Sequence, residues 1–222
     1  MKLTRNMISK KNVKYTILLL SLLFLYILIS AFSYVDAVSK DICESVLRLH
    51  VIANSDTKED QELKLKVRDN VLSYMNTICK NARNKEEAIQ IAESHIDEFK
   101  QIALNTISEN GYDYSVNLKI GNFSFPTKTY GDISLPSGYY DALRIEIGEA
   151  KGQNWWCVMF PPLCFVDVSS GIVPEDSKEE MKSNLSEEEF TLISDQQDAT
   201  INFKFKLIEL FQNVKIMTAK ND

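Results

Sequence analysis

The chain has 222 residues, 45% of them hydrophobic and 10% aromatic, which is enough apolar side chain for a packed core and too much for a disordered one. Its formal net charge is -6, and setting aside residues 1–37, with five basic residues against Asp36 alone, leaves -10 on the remainder. A body of that sign is repelled by nucleic acid and by anionic headgroups, which argues against nucleic-acid binding, and its length suits one domain.

Residues 15–32, YTILLLSLLFLYILISAF, carry no charge and follow Lys2, Arg5, Lys10, Lys11 and Lys14. Basic residues hold the front of such a run in the cytoplasm while the apolar stretch enters the bilayer, so residues 1–37 are expected to be a signal peptide or membrane anchor. The run is intermediate between a secretory core and a spanning helix. Val35 and Ala37 supply the small residues for cleavage after Ala37, with Ala31 and Ser33 a second choice. Cys43 lies too far beyond the run, behind Lys40-Asp41-Ile42, to be a lipoprotein acceptor.

The exported body, 38–222, opens with SVLRLHVIA at 45–53, whose alternation predicts a strand with Leu47, Leu49, Val51 and Ala53 on one face and Val46, Arg48, His50 and Ile52 on the other. Asn54-Ser55-Asp56-Thr57 ends it, and Thr57 with Asp60 approximates a capping box. A helix follows, striped by Leu63, Val67, Val71, Leu72, Met75 and Cys79. Asn84 caps a second, running from Lys85 towards Glu109, with Gly111 placed to end it, so the two are expected to form a helical hairpin. From Tyr112 to Ile120 the period drops to two, predicting another strand.

FSFPTKTYGDISLPSG reads as a loop with one short edge strand. Strands at Tyr139–Gly148 and Asn154–Phe160 are expected to pair as a hairpin across Ala150-Lys151-Gly152-Gln153. Residues 168–200 are acidic and poorly defined, with Ser186 and Glu189 as a possible cap, and INFKFKLIELFQNV is a last element. The sum is an α+β fold with an antiparallel sheet and two or three helices behind the N-terminal segment.

NWWCVMFPPLCFVD at 154–167 is the most unusual stretch. Adjacent Trp155 and Trp156 point to opposite strand faces, so one packs in the core and the other is exposed beside Phe160, Pro161, Pro162 and Leu163 or is covered by another element. Cys157 and Cys164 can close a disulfide across the Pro-Pro bend in an exported protein, or pack as small apolar residues; Cys43 and Cys79 are a second pair or core residues. No metal site is expected, because no C-x-x-C occurs and His50 and His95 lie in different elements. No nucleophile elbow, phosphate loop, H-E-x-x-H or S-x-x-K stands in a credible context, and no cofactor is called for.

LRLHVIANSDTKEDQELKLKVRDNVL at 47–72 and NWWCVMFPPLCFVD at 154–167, in this order behind one export segment, resemble the stage II sporulation protein R family of endospore-forming Firmicutes. The likeness runs from about Leu47 to Asp167. It implies a signal, not an enzyme. Such a protein is made in the forespore, exported into the space between the forespore and mother-cell membranes, and remains there secreted or N-terminally anchored. There it activates a membrane-embedded aspartic protease of the mother cell, which processes a pro-sigma factor. Contacts with the extracytoplasmic part of that protease are expected from Arg48, His50, Asn54 and Asp56, and from Trp155, Trp156, Pro161, Pro162 and Asp167. For the first group, turn and cap formation is the competing role. Membrane contact is expected through residues 15–32. The rival reading is an exported cell-wall-associated hydrolase or thiol enzyme using Cys157 or His50.

Overall fold

The computed structural model describes residues 10–163 and 173–194. By compactness the chain divides after Val38 into two units. Helix α1, Lys10–Ser45, is long and apolar enough to cross a membrane. Leu18, Leu22, Phe24 and Ile29 on it are exposed, and burial of described side chains begins at Val38.

In the second unit β1 (Leu47–Ile52) is followed by α2 (Lys58–Ile78), α3 (Lys85–Ser94) and α4 (Ile96–Glu109). Both expected caps form. The Thr57 hydroxyl accepts from the Asp60 amide and the Asn84 side chain from the Glu87 amide, satisfying donors that a helix start leaves open. The helix expected from Lys85 to Glu109 is broken at His95 (φ -116°, ψ 25°), whose Nδ1 turns back to the Ile91 carbonyl at 2.9 Å. A side chain that takes a local carbonyl in this way competes with the helical ladder. Gly111, at φ +82°, ends α4 in the left-handed region where a Cβ is disfavoured.

The strands β2 (Val116–Phe125), β5 (Gly138–Ile147) and β6 (Asn154–Phe160) join β1 in a four-stranded sheet of order β2-β5-β1-β6. The fold is α+β with a mostly antiparallel mixed sheet, since β1 pairs parallel with β5 and antiparallel with β6. The expected β5–β6 hairpin is therefore corrected, because β1 lies between the two strands. All six residues of β1 are buried, as befits a central strand. The connection from β5 to β6 arcs over the exit of β1, where the Lys151 and Gly152 amides donate to the Asn54 and Ala53 carbonyls.

The loop expected after β2 contains two short strands, β3 (Lys128–Tyr130) and β4 (Ile133–Leu135), paired around Gly131 at φ +57°. One face of the main sheet packs Leu47, Leu49, Val51, Leu143, Ile145 and Cys157 against the apolar stripes of α2 and α4. At the β6 edge, Tyr130 donates to the Trp156 carbonyl and the Leu163 amide to that of Val158, which blunts the strand against edge pairing. Helices α5 (Glu175–Asn184) and α6 (Glu187–Ser194) follow, and Ser186 and Glu189 cap α6 reciprocally. The element expected at INFKFKLIELFQNV lies outside the described residues.

Candidate functional site

The sheet face opposite α2 and α4 carries the site. Register sets Lys119 on β2 beside Arg144 on β5, Arg144 beside His50 on β1, and His50 beside Trp156 on β6. Residues directly paired across strands share a face. At about 4.8 Å between strands, these four residues form one transverse row roughly 14 Å long.

Phe123 takes two cations of this row, with the Lys119 ammonium 5.7 Å and the Arg144 guanidinium 5.3 Å from its ring centre. Arg144 also pairs with Glu146 at 2.6 Å, and Glu146 accepts from the Asn117 amide at 2.7 Å. At the other end, Lys128 of β3 lies 4.5 Å over Trp156. His50 stacks on Trp156 with centroids 5.7 Å apart, and its Nε2 meets the Asn154 side-chain oxygen at 2.7 Å. Burial holds the His50 imidazole below its ordinary 6.5, against the Asn154 hydrogen bond, which works the other way.

Arg48 occupies the next row inward and is fully buried. Its guanidinium carbon lies 4.2 Å from the centre of Phe125 and 4.6 Å from that of Tyr140, and Nη2 donates to the Tyr130 hydroxyl at 2.6 Å. No carboxylate pairs with it among the described residues, and its Nε and Nη1 have no hydrogen-bond partner. Aromatic faces supply part of what an anion otherwise would. Burial raises the Tyr130 phenol above 10.0 against the pull of Arg48, so the hydroxyl stays protonated to donate onward.

The structure thus brings Arg48, His50 and Trp156 together and parts them from the remaining candidates. Trp155 points to the helical face, under the Arg68 guanidinium at 4.2 Å. Asn54 and Asp56 serve the turn, where the Asn54 side-chain oxygen accepts from the Glu149 amide and the Asp56 carboxylate from the Gln153 amide. Pro161 is buried and Pro162 half-buried, roughly 16 Å along the strand from Trp156. The proposed apolar patch does not form there, because Phe160 and Leu163 are 3% and 1% exposed. Cys157 is disulfide-bonded, whereas Cys164 and Asp167 lie outside the described residues. Cys43 and Cys79 are free, buried thiols, and burial pushes each up to about 11. Among the described residues no group of three or more His, Cys, Asp or Glu side chains could hold a metal.

Residues 43–170, more than half of the chain, match the family model described as Stage II sporulation protein R. The chain belongs to the stage II sporulation protein R family. It is 40% identical over 141 residues to the Stage II sporulation protein R of Bacillus subtilis (strain 168), a match that covers 63% of each chain. The chain therefore spans under two thirds of that relative's length. No solved structure matches. All of the row, and Arg48 behind it, falls inside the stretch matched by the stage II sporulation protein R model, whereas α5 and α6 fall outside it. Sequence reading missed Lys119, Lys128, Phe123, Arg144 and Asn154. Each sits unremarkably in its own strand, and only the order of the strands aligns them.

Proposed function

We propose that this chain is an exported intercompartmental sporulation signal, released or anchored between the forespore and mother-cell membranes. There it binds the extracytoplasmic part of a membrane-embedded aspartic protease and shifts it to its active arrangement, so that the pro-sigma factor is processed. The observation that carries the reading is membership of the family over residues 43–170, behind a helix apolar enough to be an export signal or anchor. Activation of this kind requires the signal to bind the active arrangement more tightly than the inactive one.

The competing thiol-enzyme reading needs an accessible thiolate. Cys157 is disulfide-bonded and 1% exposed, and the two free thiols are buried with raised pKa. These facts favour the signal.

The test is co-expression of this chain with the protease and pro-sigma substrate in a non-sporulating cell, with and without residues 1–37. Cleavage that requires the chain and its export segment is the expected result. Cleavage indifferent to the chain would remove the signalling role.

A further inference from the structure

The molecule is acidic, yet the open part of its second sheet face gathers Lys119, Lys128 and Arg144 around two half-buried aromatic rings. Several cations elsewhere are matched, as in Lys85 with Asp141 and Lys178 with Asp132 and Glu175. Lys119 and Lys128 form no ion pair among the described residues, and each is placed over an aromatic ring. Arg144 has Glu146, but its Nε is buried without a hydrogen-bond partner, and so is the indole N–H of Trp156. Both are shielded from outside, so they add to the cost of forming the row and the cations are what it presents. Two cations without an ion pair, each held over an aromatic ring of one sheet face, are complemented by carboxylates.

We infer that the Lys119–Arg144–His50–Trp156 row is the docking surface for an acidic peptide segment in an extracytoplasmic loop of the partner protease; this rests on the signalling reading above. Acidic side chains of the segment meet Lys119 and Lys128 at the two ends of the row. An anionic bilayer is the poorer fit, because three cations must overcome the repulsion of a body at -10, and a basic residue near such a surface gains only about 1 kcal/mol.

The experiment uses the full chain in the co-expression cell, with a photo-crosslinking residue placed at 119, 128 or, on the exposed side of α4, at 100. Alongside it run the double reversal Lys119→Glu/Lys128→Glu, its neutral counterpart Lys119→Gln/Lys128→Gln, and Lys100→Glu. Adducts with the protease from 119 and 128 and not from 100 are expected. Cleavage at limiting signal should fall about tenfold or more in the reversal and less in the neutral pair, with Lys100→Glu unchanged and exported levels equal. Undiminished cleavage in the reversal, or adducts running with phospholipid or with a second copy, would overturn the surface while leaving the signalling role intact. Absence of cleavage with the unaltered chain is a separate outcome that removes the role and the surface together. If the reversal is not exported, the crosslinks and the neutral pair decide.

Discussion

Arg48 shows how little a residue's type says about its exposure. A guanidinium under Phe125 and Tyr140, with one hydrogen bond to Tyr130 and two nitrogens, Nε and Nη1, unmatched, carries a desolvation cost that cation–π contact offsets only in part. Replacement by an apolar side chain of similar length should therefore hold or raise stability. In urea unfolding, Arg48→Met is expected within about 1 kcal/mol of the parent or above it, whereas Arg48→Ala, which leaves a cavity, should lose roughly 3 kcal/mol. A collapse of Arg48→Met would mean that the charge itself holds β3 to the sheet.

His50 predicts a pH dependence of stability. Burial puts its folded pKa below the ordinary 6.5, and Arg144, Arg48 and Glu146 are the charged groups acting on it. Well above pH 6.5 it is neutral in both states and contributes no slope. Below that value the unfolded chain takes up a proton that the folded one refuses, so stability falls with pH until the folded pKa is reached. Asp60, Asp132 and Asp141 are held below 3.8, where hydrogen bonds or ion pairs outweigh burial, so their contributions are lost only at lower pH. The urea midpoint of the parent should drop between about pH 7 and pH 5.5, and His50→Gln should flatten that drop. An unchanged slope in the variant would place the titrating group elsewhere.

Helix starts were legible at the scale of elements where a capping side chain marks them, as at Thr57, Asn84 and Ser186, whereas α4 and α5 start without a side-chain cap and the break at His95 was not foreseen. Strand partners were not, because alternation reports which way a side chain points and is silent on the neighbouring strand. Tyr139–Gly148 and Asn154–Phe160 read as a hairpin, and only the parallel pairing of β1 with β5 shows otherwise. For the same reason Arg48, His50 and Trp156 could be singled out one by one, while Lys119 and Arg144 joined them only through register.

The turn polar groups belong to the fold. Asn54 and Ser55 donate to the Asp60 carboxylate at 2.8 and 2.5 Å, and the arc from Gly148 to Gln153 closes over them. That arc fits because Gly152 has no side chain, since a Cβ there would collide with the Ser55 carbonyl oxygen. Gly152→Ala should cost about 2–3 kcal/mol in urea unfolding without changing the slope. Gly121→Ala on β2, where a Cβ meets only the Phe123 ring at 3.5 Å, is expected near neutral. Equal losses at both positions would show that the arc bears no special load.

For the whole molecule, the question is whether the folded body depends on the segment that exports it. From Asn12 to Ala37 every described side chain is exposed, and the first buried ones are Val38 and Ser39, followed by Ile42 and Cys43. The limit of burial coincides with the cleavage point expected after Ala37, so a cut there removes no buried side chain from the body. Residues 38–222 should consequently fold alone, stay soluble at a net charge of -10, and unfold in urea at the midpoint of the full chain held in detergent. Loss of solubility or an unfolding free energy lowered by more than about 1 kcal/mol would show that the apolar helix is part of the folded unit, and would favour a signal that acts while anchored over one that acts after release.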